Sequence, residues 1–468
     1  MTITFIGATG RVTGSMYYLE HNNLKGLVDC GQFQGNFEEE NLNYSTLPFN
    51  PAHLDFIILT HAHVDHSGRL PLLVKHGFNG KVFCTYPTMA LTNVLLRDSG
   101  KIHEAENALD NKKRERAGLP KVPPLYTEDD AVIALQYLYP LTYAQEMTIG
   151  DNFSFHFVDA GHLLGSASAI LTFKHEDRFK KIVFSGDLGN GTNPVQNAPV
   201  TISEADYLIV ESTYGDREHV GVDQRMHTFV DIIRTAVREN GTVIVPSFAV
   251  GRTQELIYQL NTFIDSADEE TRQLLENIPF YVDSPLALDA FKVYGDNIDY
   301  MNEGVRNYDH DPFDMPNLHL VESIEMSIAL NRDKSPKVII AASGMCDAGR
   351  IKHHLKHYLW RQNTHVVFIG FQAEETLGRA IQDGESPVSI LDETIAVKAK
   401  LHTITGFSGH ADQRHLLAWT KSMQSLERLF IIHGEPAAMD VFAEKLSEQM
   451  PPETEIVIPG AGEAFELT

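Results

Sequence analysis

Residues 54–66 read LDFIILTHAHVDH. The first half is an apolar run with the length of a buried strand, and it passes directly into three histidines and an aspartate. His61 and His63 stand two apart, so in an extended loop both imidazoles face one way, while Asp65 and His66 turn towards a second point. Four such side chains within six residues are costly to bury without partners. Imidazole and carboxylate together suit Zn²⁺ or a similar divalent ion.

Working outward, further ligand-type residues fall where apolar runs end. His162 lies in DAGHLLGSAS after the run FSFHFVDA, Asp187 closes KIVFSGD, and His433 closes RLFIIHGE. The C-terminal edges of strands are where open α/β sheets place their sites. With HAHVDH these make seven potential ligands, enough for two metals sharing a bridging carboxylate.

The opening of the chain offers a competing reading. GATGRVTG at 7–14 follows an apolar run and is glycine-rich, like a phosphate-cradling turn, and Asp29 follows where a ribose partner would sit. A dinucleotide loop, however, runs into a helix whose N-terminus meets the pyrophosphate. Here SMYYLEHNNLKGLVDC carries β-rich runs around an Asn-Asn turn, and Gly7, Gly10 and Gly14 miss the GxGxxG spacing. No small-molecule cofactor is expected; the glycines are expected to make a tight turn near the metal cleft.

The chain's 468 residues are too many for one ordinary core, so two or more lobes are expected. The first third is strand-rich, with helices expected at PLLVKHGF, in the charged stretch EAENALDNKKRERAG and at TEDDAVIALQYL. Beyond about 206 the helices QRMHTFVDIIRTAVREN and RTQELIYQLNTFI alternate with the apolar runs GTVIVPSF, PFYVDS, KVIIAASGM and THVVFIGF, which indicates a parallel sheet with helices packed on it. The simplest organisation is a strand-rich α/β domain, 1–205 and 396–468, interrupted by an inserted α/β domain at 206–395.

The formal charge is 38 − 63 = −25, which argues against a protein that coats nucleic acid through a broad basic face. No apolar run reaches the length of a membrane span, and the N-terminus lacks a basic start and a small-residue cleavage site, so no membrane association is expected. Cys30, Cys84 and Cys346 show no pairing pattern, pointing to reducing cytoplasm.

The order Asp29, HAHVDH, His162, Asp187 resembles the successive motifs of the metallo-β-lactamase superfamily. ESTYG with Glu211, FSGHAD with His410 and IIHGE with His433 resemble the three further motifs of its β-CASP branch. PSFAVGRTQEL, DSPLA, SGMCDAGR and GFQAEETLGRA resemble the β-CASP ribonucleases in wording and order, and the match runs from residue 3 to about 440. The nearest resemblance is to bacterial and archaeal counterparts of the endonuclease that cleaves pre-mRNA 3′ ends. It implies a metallo-β-lactamase αββα sandwich with an inserted β-CASP α/β domain.

It also implies roles. His61, His63 and His162 would hold one zinc ion, Asp65, His66 and His433 a second, and Asp187 would bridge them. Two cations about 3.5–4 Å apart clamp a phosphodiester and activate a water for in-line attack. Asp29 would stand behind the ligands and orient a histidine. His410, paired with Glu211, would protonate the leaving 3′ oxygen; a carboxylate beside an imidazole raises its pKa and holds its tautomer. The catalytic set is then Asp65, Asp187, Glu211 and His410. A histidine at 433 resembles the RNA-processing members of the branch, and the DNA-repair members have an apolar residue there.

Phosphate contacts are expected from Arg252, Arg350, Arg379, Ser408 and the turn at Ser343 and Gly344, because arginine forks match phosphate geometry. KKRER at 112–116 is better explained as a solvated helix face, and His353 and His357 in KHHLKHYLW as a packed or exposed one. The function expected is hydrolysis of single-stranded RNA by a two-zinc enzyme in RNA processing or decay, an endonuclease first, with 5′ exonuclease as the second mode. Two other readings compete. A glyoxalase-type small-molecule hydrolase would lack the inserted domain and FSGHAD; a non-catalytic RNA-binding subunit would have lost metal ligands. No accessory RNA-binding domain is visible, so weak intrinsic RNA affinity or a homodimer is expected.

Overall fold

The computed structural model describes residues 1–219, 221–315 and 317–468. The chain divides into two units, the first made of 1–191, 198–218 and 410–468, the second of 192–197 and 219–409.

The first unit holds two seven-stranded sheets. One runs in the order Ala464–Glu466, Thr2–Phe5, Tyr17–His21, Leu24–Val28, Phe56–Ile58, Lys81–Thr85, Leu138–Leu141; the other runs Glu455–Val457, Arg428–Ile432, Tyr207–Glu211, Arg178–Phe184, Ala167–His175, Phe153–Asp159, Met147–Gly150. Strand alternation decides what faces what. In FSFHFVD, Phe153, Phe155 and Phe157 all point into the space between the sheets, where they meet Phe5, Tyr17, Phe56, Phe83, Phe184 and Phe430. Burying each such phenylalanine contributes about 1.5–3 kcal/mol. On the outer face of the first sheet, Leu27, Ile57, Leu59 and Val82 pack with Leu70, Leu96 and Ala131 of the helices Leu70–Lys75, Tyr86–Arg116 and Glu128–Ala134. Helices Gln413–Lys421 and Pro436–Gln449 cover the second sheet through Leu416, Trp419, Met439 and Phe442. This is a helix–sheet–sheet–helix sandwich.

In both sheets the strands that lead into ligand-type residues are parallel to a neighbour: Leu24–Val28 with Phe56–Ile58, and Arg178–Phe184 with Tyr207–Glu211 and Arg428–Ile432. Their C-terminal ends therefore lie together, and with them Asp29, Thr60, Asp187, Glu211 and His433.

Two local readings change. TEDDAVIALQYL, expected as one helix, starts with a capping box between Thr127 and Asp130, is α-helical to Ala134 and tightens to a 3-10 turn over Leu135–Tyr137, and its last residue opens the edge strand Leu138–Leu141. Pro140 explains this: it disfavours helix in the residue before it and lacks the N–H an inner strand needs. Tyr207–Glu211, expected at the start of the insertion, is hydrogen-bonded between two strands of the second sheet of the first unit.

The second unit carries a six-stranded, all-parallel sheet in the order Leu318–Leu320, Phe280–Asp283, Lys337–Ala341, Thr242–Pro246, Thr364–Phe368, Lys400–Thr403. Its central strands TVIVP, KVIIA and THVVF are buried throughout, as a parallel sheet covered on both faces requires. Helices Arg225–Arg238 and Arg252–Ser266 pack on one face through Phe229, Ile233, Leu256 and Leu260. On the other face lies Ile351–Tyr358, through Ile351, Leu355 and Tyr358. Among the described residues, no helix is long and apolar enough to cross a membrane.

Candidate active site

After the strand Phe56–Ile58 the chain stays extended through His61 and then turns into the short helix Val64–Ser67, which presents Asp65 and His66. His63 caps that helix with its backbone, since His66 and Ser67 amides donate to its carbonyl at 3.0 and 2.9 Å. This turn sends His61 and His63 to one point and Asp65 and His66 to another.

At the first point the donor atoms are His61 Nε2, His63 Nδ1, His162 Nε2 and Asp187 Oδ2. The nitrogens of His61 and His162 lie 3.1 and 3.2 Å from His63 Nδ1, and Asp187 Oδ2 lies 3.5 and 3.6 Å from the same two nitrogens. At the second, His66 Nε2 is 3.2 Å from Asp187 Oδ1 and 3.3 Å from His433 Nε2, which is 3.4 Å from Asp65 Oδ2. The two oxygens of Asp187 thus belong to different groups. Tetrahedral ligands at zinc-like bond lengths stand about 3.3–3.4 Å apart, so both donor sets have the spacing of ligands around a small divalent ion.

The electrostatics agree with that fit. Burial holds His61 well below the usual histidine range and His63 down to about 4, so both are neutral and have a lone pair to give. Burial opposes charge on His66, yet Asp187, Asp29 and Asp65 around it raise its pKa well above the ordinary value. For Asp187, burial is outweighed by His433, His66 and His61, and its carboxyl is held well below the carboxylate range. Asp187 is buried, and both of its oxygens face imidazole nitrogens. A buried cluster that gathers carboxylates and imidazole nitrogens is suited to a cation.

Asp29 stands behind the ligands. Its Oδ2 accepts from His66 Nδ1 at 2.8 Å and from the Thr60 hydroxyl at 2.9 Å, and its Oδ1 accepts from the Thr60 amide at 2.8 Å. It sits at φ +57°, and His433 at φ +52°, both backbone conformations that side chains rarely adopt and that surrounding structure must impose. Part of that imposition comes from the glycine-rich opening. The Ala8 carbonyl accepts from the His433 amide at 2.8 Å, and the Ser15 amide donates to the Asp65 carbonyl at 2.9 Å. The loop folds on itself so tightly that a Cβ at Gly7 would fall 1.9 Å from the Gly14 carbonyl oxygen. GATGRVTG is a tight turn bordering the His/Asp cluster.

Beside this cluster lies a sixth histidine. His410 Nδ1 is 3.1 and 3.2 Å from the two oxygens of the buried Glu211. Glu211 also accepts from the Leu188 amide and, at 2.7 Å, from the Thr213 hydroxyl. Burial disfavours charge on His410, but Glu211 and then Asp187 outweigh it and raise its pKa to about 9. His410 is thus protonated at neutral pH, with Nδ1–H on Glu211.

Family models match in three stretches: a metallo-beta-lactamase superfamily domain over 18–191, a Beta-Casp domain over 253–381, and a Zn-dependent metallo-hydrolase RNA specificity domain over 394–459. The chain is also 36% identical to Ribonuclease TTHA0252 of Thermus thermophilus, over 93% of both chains. It belongs to the β-CASP branch of the metallo-β-lactamase superfamily. Other β-CASP relatives include an RNase J-like protein of Methanocaldococcus jannaschii, 29% identical over 92% of each chain, and the same organism's transcription termination factor FttA, 28% identical over 94% of this chain and 68% of that one. A crystal structure of a protein of unknown function from Enterococcus faecalis shares the fold, with a TM-score of 0.52 at 12% identity, over 100% of this chain and 99% of that one. The chain is a metallo-hydrolase by family, with a His/Asp cluster of metal-binding type.

In this β-CASP protein the residues expected to contact phosphate lie in the second unit, and the partners named below lie in the same unit. Arg252 pairs with Glu255, which also accepts from Gln259 at 2.9 Å and Asn193 at 3.2 Å. Arg350 donates to the buried Asp283 at 2.6 Å, alongside Ser327 and His354, and so braces the end of the strand Phe280–Asp283. Arg379 donates to Asp383 one helical turn on, at the surface. The Ser343 hydroxyl and the Ala348 backbone close the SGM turn at 3.2 Å, the Gly344 carbonyl accepts from Gln372, and Ser408 is buried. Of KHHLKHYLW, the buried histidine is His354, while His357 Nδ1 bonds the His353 carbonyl on an exposed face. The sequence reading passed over Thr60 and Thr213, each touching both a carboxylate and a ligand histidine; the available signal was a hydroxyl next to HAHVDH and inside ESTYG.

Proposed function

We propose that this protein is a two-zinc ribonuclease that hydrolyses phosphodiester bonds of single-stranded RNA, cutting internally by preference. The observation that carries the reading is the sharing of Asp187 between two four-donor groups, with the His410–Glu211 pair next to it. Bound in those two groups, divalent ions would activate a water and neutralise charge developing on the phosphate. His61, His63 and His162 are suited to one ion, Asp65, His66 and His433 to the other, and Asp187 to both. His410 holds a proton on Nε2 because Nδ1–H is engaged by Glu211, and it gives that proton to the departing 3′ oxygen. The products are then a 3′-hydroxyl and a 5′-phosphate. The names of the relatives and the matched RNA specificity model support RNA as the substrate class. Retention of every ligand-type residue in converged positions speaks against a non-catalytic subunit. The mode is tested with a circular single-stranded RNA, which has no ends: the zinc-loaded protein should linearise it. An intact circle beside a degraded linear RNA would reassign the protein as an exonuclease, and two intact RNAs would remove the ribonuclease reading.

A further inference from the structure

Two buried threonines occupy equivalent chemical positions on opposite sides of the ligand cluster. The Thr60 hydroxyl has one proton, and Asp29 Oδ2 at 2.9 Å is an acceptor only, so the proton goes there. Thr60 Oγ1 lies 3.1 Å from His61 Nδ1, which must then be the donor. His61 is thereby held as the Nδ1–H tautomer, with the Nε2 lone pair facing the first ligand group. On the other side Thr213 repeats the arrangement. Its hydroxyl has two acceptors within reach, Glu211 Oε2 at 2.7 Å and the His433 carbonyl at 3.3 Å; the shorter, charged one takes the proton. His433 Nδ1, 3.1 Å from the same hydroxyl, must donate to it, leaving Nε2 for the second group.

We infer that Thr60 and Thr213 are positioning residues that set the tautomers of His61 and His433, each transmitting the charge of a carboxylate to a ligand it does not touch. Asp29 thus governs His66 directly and His61 through Thr60. Glu211 governs the proton donor His410 directly and His433 through Thr213, so one carboxylate couples the proton donor to the second metal group. Carboxylate–histidine–metal orientation usually involves direct contact, and losing such a partner costs about 10- to 100-fold in metal affinity.

The inference rests on the two-ion reading above, and the experiment separates the two. Zinc-loaded wild type, Thr213→Val, Thr213→Ser, Thr60→Val and Thr60→Ser are dialysed against graded chelator, and the ions remaining per chain are counted by mass spectrometry. The wild type should carry two. Each valine variant should release one ion at a free zinc concentration about 10- to 100-fold higher than the wild type requires, while keeping the other. Each serine variant, which retains the hydroxyl, should behave as wild type. Nitrogen shifts of ¹⁵N-labelled histidine should change at a single ligand, His433 for Thr213→Val and His61 for Thr60→Val. Where a valine variant does not fold, the alanine variant removes the same hydroxyl with less bulk. Two ions retained at wild-type affinity in both valine variants overturns the inference, as does loss of both ions at once or failure of serine to rescue. Fewer than two ions in the wild type overturns the two-ion reading and the inference with it.

Discussion

Replacing Glu211 by glutamine removes one charge from a buried site and leaves its shape. The structure sets the size of the effect. Glu211 contributes most to raising the His410 pKa to about 9 against burial, with Asp187 and Asp65 adding to it. Without the carboxylate the value should fall towards the ordinary 6.5. At pH 7.5 the wild-type imidazole is almost wholly protonated, whereas a group at 6.5 is about one-tenth protonated, so kcat/KM should drop by up to about tenfold. The loss should shrink at lower pH, and the basic limb of the profile should move from near 9 towards 6.5. His410→Ala should instead lose about 10²- to 10⁴-fold with no such limb. Stability should follow the same sign. A pKa raised by folding contributes stability that is complete below about 6.5 and is lost as pH rises through about 9, so Glu211→Gln should be destabilised more at pH 6 than at pH 9.5. The assay is steady-state cleavage of a fluorescent single-stranded RNA from pH 5.5 to 10 at saturating zinc, with thermal unfolding at both ends. A basic limb that stays near 9, or an equal loss at every pH, would refute the role given to the pair.

Three more outcomes are expected. Gly31→Ala would put a Cβ 1.6 Å from the Asp65 carbonyl oxygen, so calorimetry should show a loss of about 2 kcal/mol or more, with reduced zinc content; an unchanged Tm would contradict the close packing of that loop. Stripping bound zinc with a chelator should lower the Tm and re-addition should restore it, each ion contributing about 2.7 kcal/mol at a hundredfold excess over its Kd; a Tm insensitive to chelator would contradict metal binding by the native state. Arg350→Ala leaves the fully buried Asp283 without its cation and should cost about 1–3 kcal/mol in denaturant unfolding; a loss of RNA affinity with unchanged stability would instead make Arg350 a phosphate contact.

Much of the site is legible because its chemistry is local. HAHVDH, SGD and IIHGE each join an apolar run to a ligand-type residue, and parallel strands bring those ends together whatever the exact topology. The order of the motifs carries the family. What stays hidden is non-local or chemically quiet. The run DYLIVE reads the same whether it opens an inserted domain or pairs with Arg178–Phe184, and only the pairing decides. A threonine at the end of a strand is unremarked in any sequence, so the proton ordering that Thr60 and Thr213 impose becomes visible only as distances. Which acids stand beside Arg252 and Arg350, the buried Glu255 and Asp283, is likewise invisible in the sequence, because pairing depends on what folding places there.

The most direct test uses 5′-labelled single-stranded RNA with the zinc-loaded protein, the chelated protein, the chelated protein with zinc restored, and zinc-treated His63→Ala. Cleavage that requires zinc, returns with it, leaves 3′-hydroxyl and 5′-phosphate ends and falls to background in His63→Ala is the expected result. Cleavage of equal extent in all four samples would contradict a metal-dependent ribonuclease built on these histidines.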